Sequence, residues 1–276
     1  MNYYCLIAGL PEIQIEDSKI VSTLVDIKSD FVEQLSEGDA DLMNLVFAKY
    51  DNANFLAYLH DKESTLNELG NLSRTDWEQI VSLLQEIENP KDGRISPYIT
   101  SFYHLFTLEK STNETISLDD QLAGMYYEFA MKSKNKFLSN WFEFNLNLNN
   151  ILTAVACRKH GFDLKNLIVG SNEIANTIKA SNARDFGLTG IFDQLDLVLR
   201  VAEEADLLER EKKIDALKWA WLEENTFFNY FSIEKVLAFV LKIEMIERWK
   251  PLSVENGTQI FRDLLAGLKE EVKFEK

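Results

Sequence analysis

The sequence predicts an all-α protein of long amphipathic helices, and three observations carry that prediction. Its four prolines stand at positions 11, 90, 97 and 251, so the stretch from Tyr98 to Lys250 lacks the residue that helix interiors exclude. Apolar residues recur at i, i+3, i+4 and i+7 through the second half of the chain. Eleven Gly and four Pro in 276 residues are too few for a loop-rich all-β protein, while 46% apolar content is too high for a disordered one.

Residues 1–12 contain Tyr3, Tyr4, Leu6 and Ile7, which favour an extended strand, so this short segment is expected to be extended. Ser73 and Asp76 form a capping arrangement before the apolar positions Ile80, Val81, Leu84 and Ile87, and Asn89-Pro90 stops that helix. NPKDGRISP is a loop with an Asp92-Gly93 turn, and a polar connection follows Leu108. From Ser117, an N-cap, helical sequence runs to Gly161 as one very long helix or as two joined near Asn145 to Asn150. The asparagines at 145, 147, 149 and 150 compete for backbone hydrogen bonds, which marks either a bend or an internal polar contact. Val198, Val201, Ala202, Ala205 and Leu208, continued by Ile214, Leu217 and Trp221, line one helix or two in close succession. Val236, Phe239, Val240 and Ile243 line another, and Ile260, Phe261, Leu264, Leu265 and Leu268 line a last one.

Charge narrows the partners. A formal net charge of −16 and a pI near 4.7 repel nucleic-acid phosphates and anionic lipid headgroups, so neither nucleic acid nor direct lipid binding is expected. An acidic surface suits a basic protein partner instead. Two cysteines, Cys5 and Cys157, form no disulfide framework and fit a reducing, cytoplasmic setting. The N-terminus lacks the basic region of a signal peptide, and no apolar run is long enough to span a bilayer.

Catalytic chemistry finds no purchase. His60, His104 and His160 have no second histidine at i+3 or i+4, and no Glu-x-x-His pair of the helical di-iron kind occurs. Cys157 and His160 lie one turn apart, but Cys157 sits on an apolar face with Ile151 and Ala154 and reads as core. Phosphate-binding glycine loops and a hydrolase elbow are absent. No catalytic, cofactor-binding or metal residue is therefore assigned, and no cofactor is expected. The aromatic clusters at 126–127, 141–144, 219–221 and 227–231 are read as core, with some as interface anchors.

Three segments are loosely self-similar at a spacing of about ninety residues: KYDNANFLAYLHDK (49–62), FEFNLNLNNILTAVACRKHGFD (142–163) and FFNYFSIEKVLAFVLKIEMIERW (227–249). They divide a single helical domain, 1–276, into approximate units 1–90, 91–185 and 186–276. Asp51, Asn54, Asn147 and Asn150 are the motif residues of the first two. Glu244, Glu247 and Arg248 in the third fall on adjacent turns, where they form intrahelical pairs or meet another protein of a complex.

These asparagine-leucine helices and the terminal AFVLKIEMIERW resemble the repeated units of the C subunit of V- and A-type rotary ATPases, called d in eukaryotes. The opening NYYCLIAGLP, the KYDNAN motif and FNLNLNN look more closely like a bacterial family found with V-type ATPase subunits, in the place where a C subunit would be expected. The resemblance implies a funnel of three similar helical units and a non-catalytic protein that joins the central stalk to the membrane rotor ring and transmits torque. It implies the other V-type ATPase subunits as partners, which would hold the protein at the cytoplasmic face of the inner membrane. The C subunit commonly has an arginine in its first helix, whereas here that region reads LIAGLPEIQ with no base. A free-standing helical scaffold or adaptor is the alternative reading.

Overall fold

The computed structural model describes residues 2–17, 22–109 and 116–249. Twelve helices lie in these residues: α1 (Tyr4–Ala8), α2 (Leu24–Val32), α3 (Glu37–His60), α4 (Arg74–Glu86), α5 (Pro97–Glu109), α6 (Leu118–Ala130), α7 (Lys136–His160), α8 (Leu164–Leu167), α9 (Glu173–Ala180), α10 (Leu195–Ala202), α11 (Leu207–Thr226) and α12 (Ile233–Trp249). No strand occurs among the described residues, so the all-α expectation holds. The predicted stripe at 260–268 and most of the polar connection after Leu108 lie outside them.

The extended segment expected at residues 1–12 is corrected over Tyr4–Ala8, which form the helix α1. A strand needs a neighbour to take its backbone groups. Here Ile7 N–H bonds within the turn to Tyr3 O, and Tyr3 N–H donates to Phe231 O at 2.7 Å.

Helix starts follow side-chain chemistry. Thr23 and Ser73 each accept from the amide three residues on, and the N3 aspartates Asp26 and Asp76 reach back to complete capping boxes. Ser117, Asn135 and Asn172 cap α6, α7 and α9 by accepting from the amide three residues on, without the reciprocal bond. The break in the long segment after Ser117 falls at Met131–Asn135, and α7 then runs unbroken through the asparagines. α7 ends on Gly161, whose φ of +73° is the left-handed conformation that favours glycine. Between α10 and α11 the residues Glu203 to Asp206 separate two helices, with Glu204 and Lys213 paired across the gap.

The chain divides into two compact units: residues 1–34 with 219–276, and residues 35–218. The sequence-based boundaries at 90 and 185 both fall inside the second unit, and the second structural boundary falls within α11. In the larger unit, Phe55 stacks on Trp77 with ring centroids 4.9 Å apart, and Phe102 meets Phe55 edge-on. Tyr98, Tyr126 and Phe142 extend this aromatic core across α5, α6 and α7. In the smaller unit, α2 packs on α12, with Phe31 against Phe239 at 6.0 Å. No helix among the described residues is long and apolar enough to cross a membrane.

Candidate functional site

Buried asparagines make the most distinctive arrangement of the larger unit. On α3, the core-facing stripe runs Met43, Phe47, Asp51, Asn54, Phe55 and Tyr58, so two polar residues point the same way as the large apolar ones. A buried amide or carboxylate demands partners. Asn54, 2% exposed, finds them in a single backbone residue: its Oδ1 accepts from Asn67 N–H at 2.7 Å and its Nδ2 donates to Asn67 O at 2.9 Å. One turn earlier, the Asp51 carboxylate accepts from the amides of Asn71 and Leu72 at 2.7 and 3.0 Å and from Asn71 Nδ2 at 2.6 Å. These bonds fix the loop that leads into Ser73, the cap of α4. Arg74 closes it from outside by donating to the carbonyls of Lys62 and Ser64.

The same device recurs on α7. Asn150, also 2% exposed, clasps Val169 through Val169 N–H to Oδ1 at 3.0 Å and Nδ2 to Val169 O at 2.8 Å. One turn earlier, Asn147 accepts from Asn172 Nδ2 at 2.7 Å, and Asn172 is the cap of the next helix, α9. In each case the first motif residue holds the approach to a helix cap, and the second, three positions on, brackets one loop residue with two bonds. The asparagine segment is thus a contact site. Asn145 spends its amide on Trp141 O within the helix, at 3.0 Å.

A third instance has altered chemistry. Positions 51, 147 and 244 are separated by 96 and 97 residues, as are 54, 150 and 247, so Glu244 and Glu247 stand where the other copies have Asp51/Asn54 and Asn147/Asn150. Glu247 follows Val236, Val240 and Ile243 on the buried stripe of α12. Its Oε1 accepts from Leu24 N–H at 3.0 Å, the first amide of α2 behind the cap Thr23. A carboxylate suits that place because the helix N-terminus bears partial positive charge. Glu244 is half-buried, and Arg248 is exposed with its guanidinium 5.2 Å from the Trp249 ring.

Glycine supports the first clamp. A Cβ on Gly70 would stand 2.5 Å from Asn54 Nδ2 and 3.0 Å from Asp51 Oδ1, so the backbone must approach with no side chain. The four motif residues are legible in the sequence, whereas their partners Asn67, Asn71, Leu72, Val169 and Asn172, and Leu24 as partner of Glu247, were missed there. The signal available was a cap residue, Ser73, Asn172 or Thr23, beginning the helix that the clamp holds.

Other polar groups have structural partners. Tyr98 hydroxyl donates to Asn52 Oδ1 at 2.7 Å, and burial, with the Asp51 charge, pushes its pKa upward. Lys242 bonds Glu223 at 3.0 Å and lies 4.3 Å over the Trp219 ring, while Trp219 Nε1 donates to the same carboxylate at 2.9 Å. Burial pulls the Lys242 pKa down against the opposing pull of Glu223. Cys157 is buried and its thiol pKa is pushed up by burial, which disfavours the thiolate. No group of three or more His, Cys, Asp or Glu among the described residues could hold a metal ion.

A protein-family model described as a protein of unknown function, DUF2764, matches residues 1–272, and the chain belongs to that family. No curated protein and no solved structure matches it.

Proposed function

We propose that this member of the DUF2764 family is a non-catalytic, C/d-like subunit of a V-type rotary ATPase, joining the central stalk to the membrane rotor ring and transmitting torque. The single observation that supports this most is the clamp recurring 96 residues apart on α3 and α7, with Glu247 at the matching position of α12, 97 residues further on, bonding the first amide of α2, as expected of a protein built of three similar helical units. Torque transmission requires that helices and their connections move as one body. Two-point bonds from buried side chains to loop backbone supply that stiffness, because the loop cannot shift without orphaning buried polar groups.

In this role the partners are the other V-type ATPase subunits. The net charge of −16 opposes direct attachment to an anionic leaflet, so those partners would hold the protein at the membrane. Of the interface candidates, Arg248 is exposed, whereas Glu247 is committed to α2. Deleting the gene should leave ATP hydrolysis running without ion transport, and the protein should co-purify with stalk and ring. Retained coupling in a complex that lacks it would refute the proposal.

A further inference from the structure

We infer that the aromatic turn between α11 and α12, together with α1, is a docking surface for a protein segment that has an apolar face flanked by basic residues. Phe228 is 85% exposed, Tyr230 61%, Phe227 60%, Tyr4 55% and Phe231 42%, all within the smaller unit. Rings of ~200 Å² each, somewhat over half exposed, present about 600 Å² of aromatic surface. That lies at the upper end of the ~300–600 Å² typical of the largest patch on a monomer and approaches the ~800 Å² per partner of a standard interface.

The rings are held in place. Tyr4 lies on Phe231 with centroids 4.6 Å apart, and Phe227 meets Phe228 edge-on at 4.9 Å. Tyr3 N–H to Phe231 O at 2.7 Å ties the N-terminal segment to the turn, and Asn2 Nδ2 donates to the Tyr4 hydroxyl at 2.9 Å. Asn229 N–H to Thr226 O closes the turn itself. A surface ordered before binding loses less entropy when a partner arrives.

Charge selects the occupant. The chain leading into and out of the turn has Glu224 and Glu234 against Lys235, Glu223 being paired with Lys242, and residues 2–17 have Glu12, Glu16 and Asp17 with no base. Lipid-inserting aromatic segments pair their rings with Lys and Arg, so this patch is matched to a basic protein face and not to anionic lipid. A second copy would bring the same acidic flanks together. The docking surface does not depend on the rotary-ATPase reading.

The test uses the full chain and a labelled synthetic helical Leu/Lys peptide, with a Leu/Glu peptide of the same apolar face as control, read by fluorescence anisotropy. The expected result is binding of the Leu/Lys peptide, weakened about tenfold or more in F228S/Y230S, with no binding of the Leu/Glu peptide. Equal binding by wild type and variant would overturn the inference. So would binding of the Leu/Glu peptide, flotation of the wild type but not the variant with phosphatidylcholine/phosphatidylglycerol vesicles, or a wild-type dimer that the variant dissolves. Circular dichroism checks the fold of the variant, and Tyr4→Ser provides the same readout from the other segment.

Discussion

Replacing Asn150 by Ala removes two hydrogen bonds at once and leaves Val169 N–H and C=O without partners, at 3.0 and 2.8 Å from where the amide stood. Each bond contributes roughly 1 kcal/mol net, and each orphaned buried group costs about 1–3 kcal/mol. Val169 is only half-buried, so water recovers part of that cost, and the combined loss should be about 2–4 kcal/mol. Because the protein has two compact units, one global unfolding curve can mix their transitions. Native-state hydrogen exchange at the Val169 amide reads the site directly: its protection should fall with the clamp, while amides within α7 keep theirs. Asn54→Ala should lose a similar amount at Asn67, since its two bonds, 2.7 and 2.9 Å, have the same geometry. Asn150→Asp would be a sharper probe, because it keeps the acceptor for Val169 N–H but sets a carboxylate against Val169 O. A loss below about 0.5 kcal/mol in the alanine variants, or unchanged Val169 protection, would refute the claim that these asparagines hold the loops.

Gly70→Ala should destabilise the larger unit by about 1–3 kcal/mol in urea denaturation, because its Cβ would collide with the clamp side chains; a neutral result would show that the loop can retreat. Glu247→Ala should increase exchange at the Leu24 amide, whereas Glu247→Gln, which keeps an acceptor oxygen, should largely preserve its protection. Hydrogen bonds from Thr23, Ser73 and Thr189 hold Asp26, Asp76 and Asp185 below the ordinary carboxylate value of 3.8. Groups with depressed folded-state pKa stabilise above their unfolded value and lose that contribution as pH falls through the folded value. The urea midpoint should therefore drop as pH falls below 3.8, and the combined D26N/D76N/D185N variant should show a shallower acid dependence. An equally steep acid loss in that variant would exclude these three carboxylates as its source.

Local chemistry made much of the fold legible. Ser73, Asp76 and Ser117 announce helix starts because a side-chain oxygen beside an orphan amide acts within one turn of sequence. The proline-free stretch and the stripes at 198–221 and 236–243 identify helices for the same local reason. The break between α6 and α7 was less legible, since the asparagine run at 145–150 competes locally for backbone bonds and sequence alone cannot tell a bend from a buried contact. The partners of those asparagines, 19 and 25 residues away, resolve it. The first residues illustrate the reverse failure: Tyr3, Tyr4, Leu6 and Ile7 have strand propensity, but propensity has no force without a neighbouring strand.

The sequence by itself determined a helical, acidic protein with a loose repeat, because helix periodicity, capping and net charge are properties of neighbouring residues or of composition. Tertiary structure decided what the repeat does. Asp51, Asn54, Asn147, Asn150 and Glu247 acquire their roles only when long-range folding brings loop amides to buried side chains that would otherwise be costly to desolvate. It also decided that Leu24, 223 residues from Glu247 in sequence, supplies the amide in the third instance. Phe228 and Tyr230 are likewise distinguished from the core aromatics only by exposure, which composition cannot express.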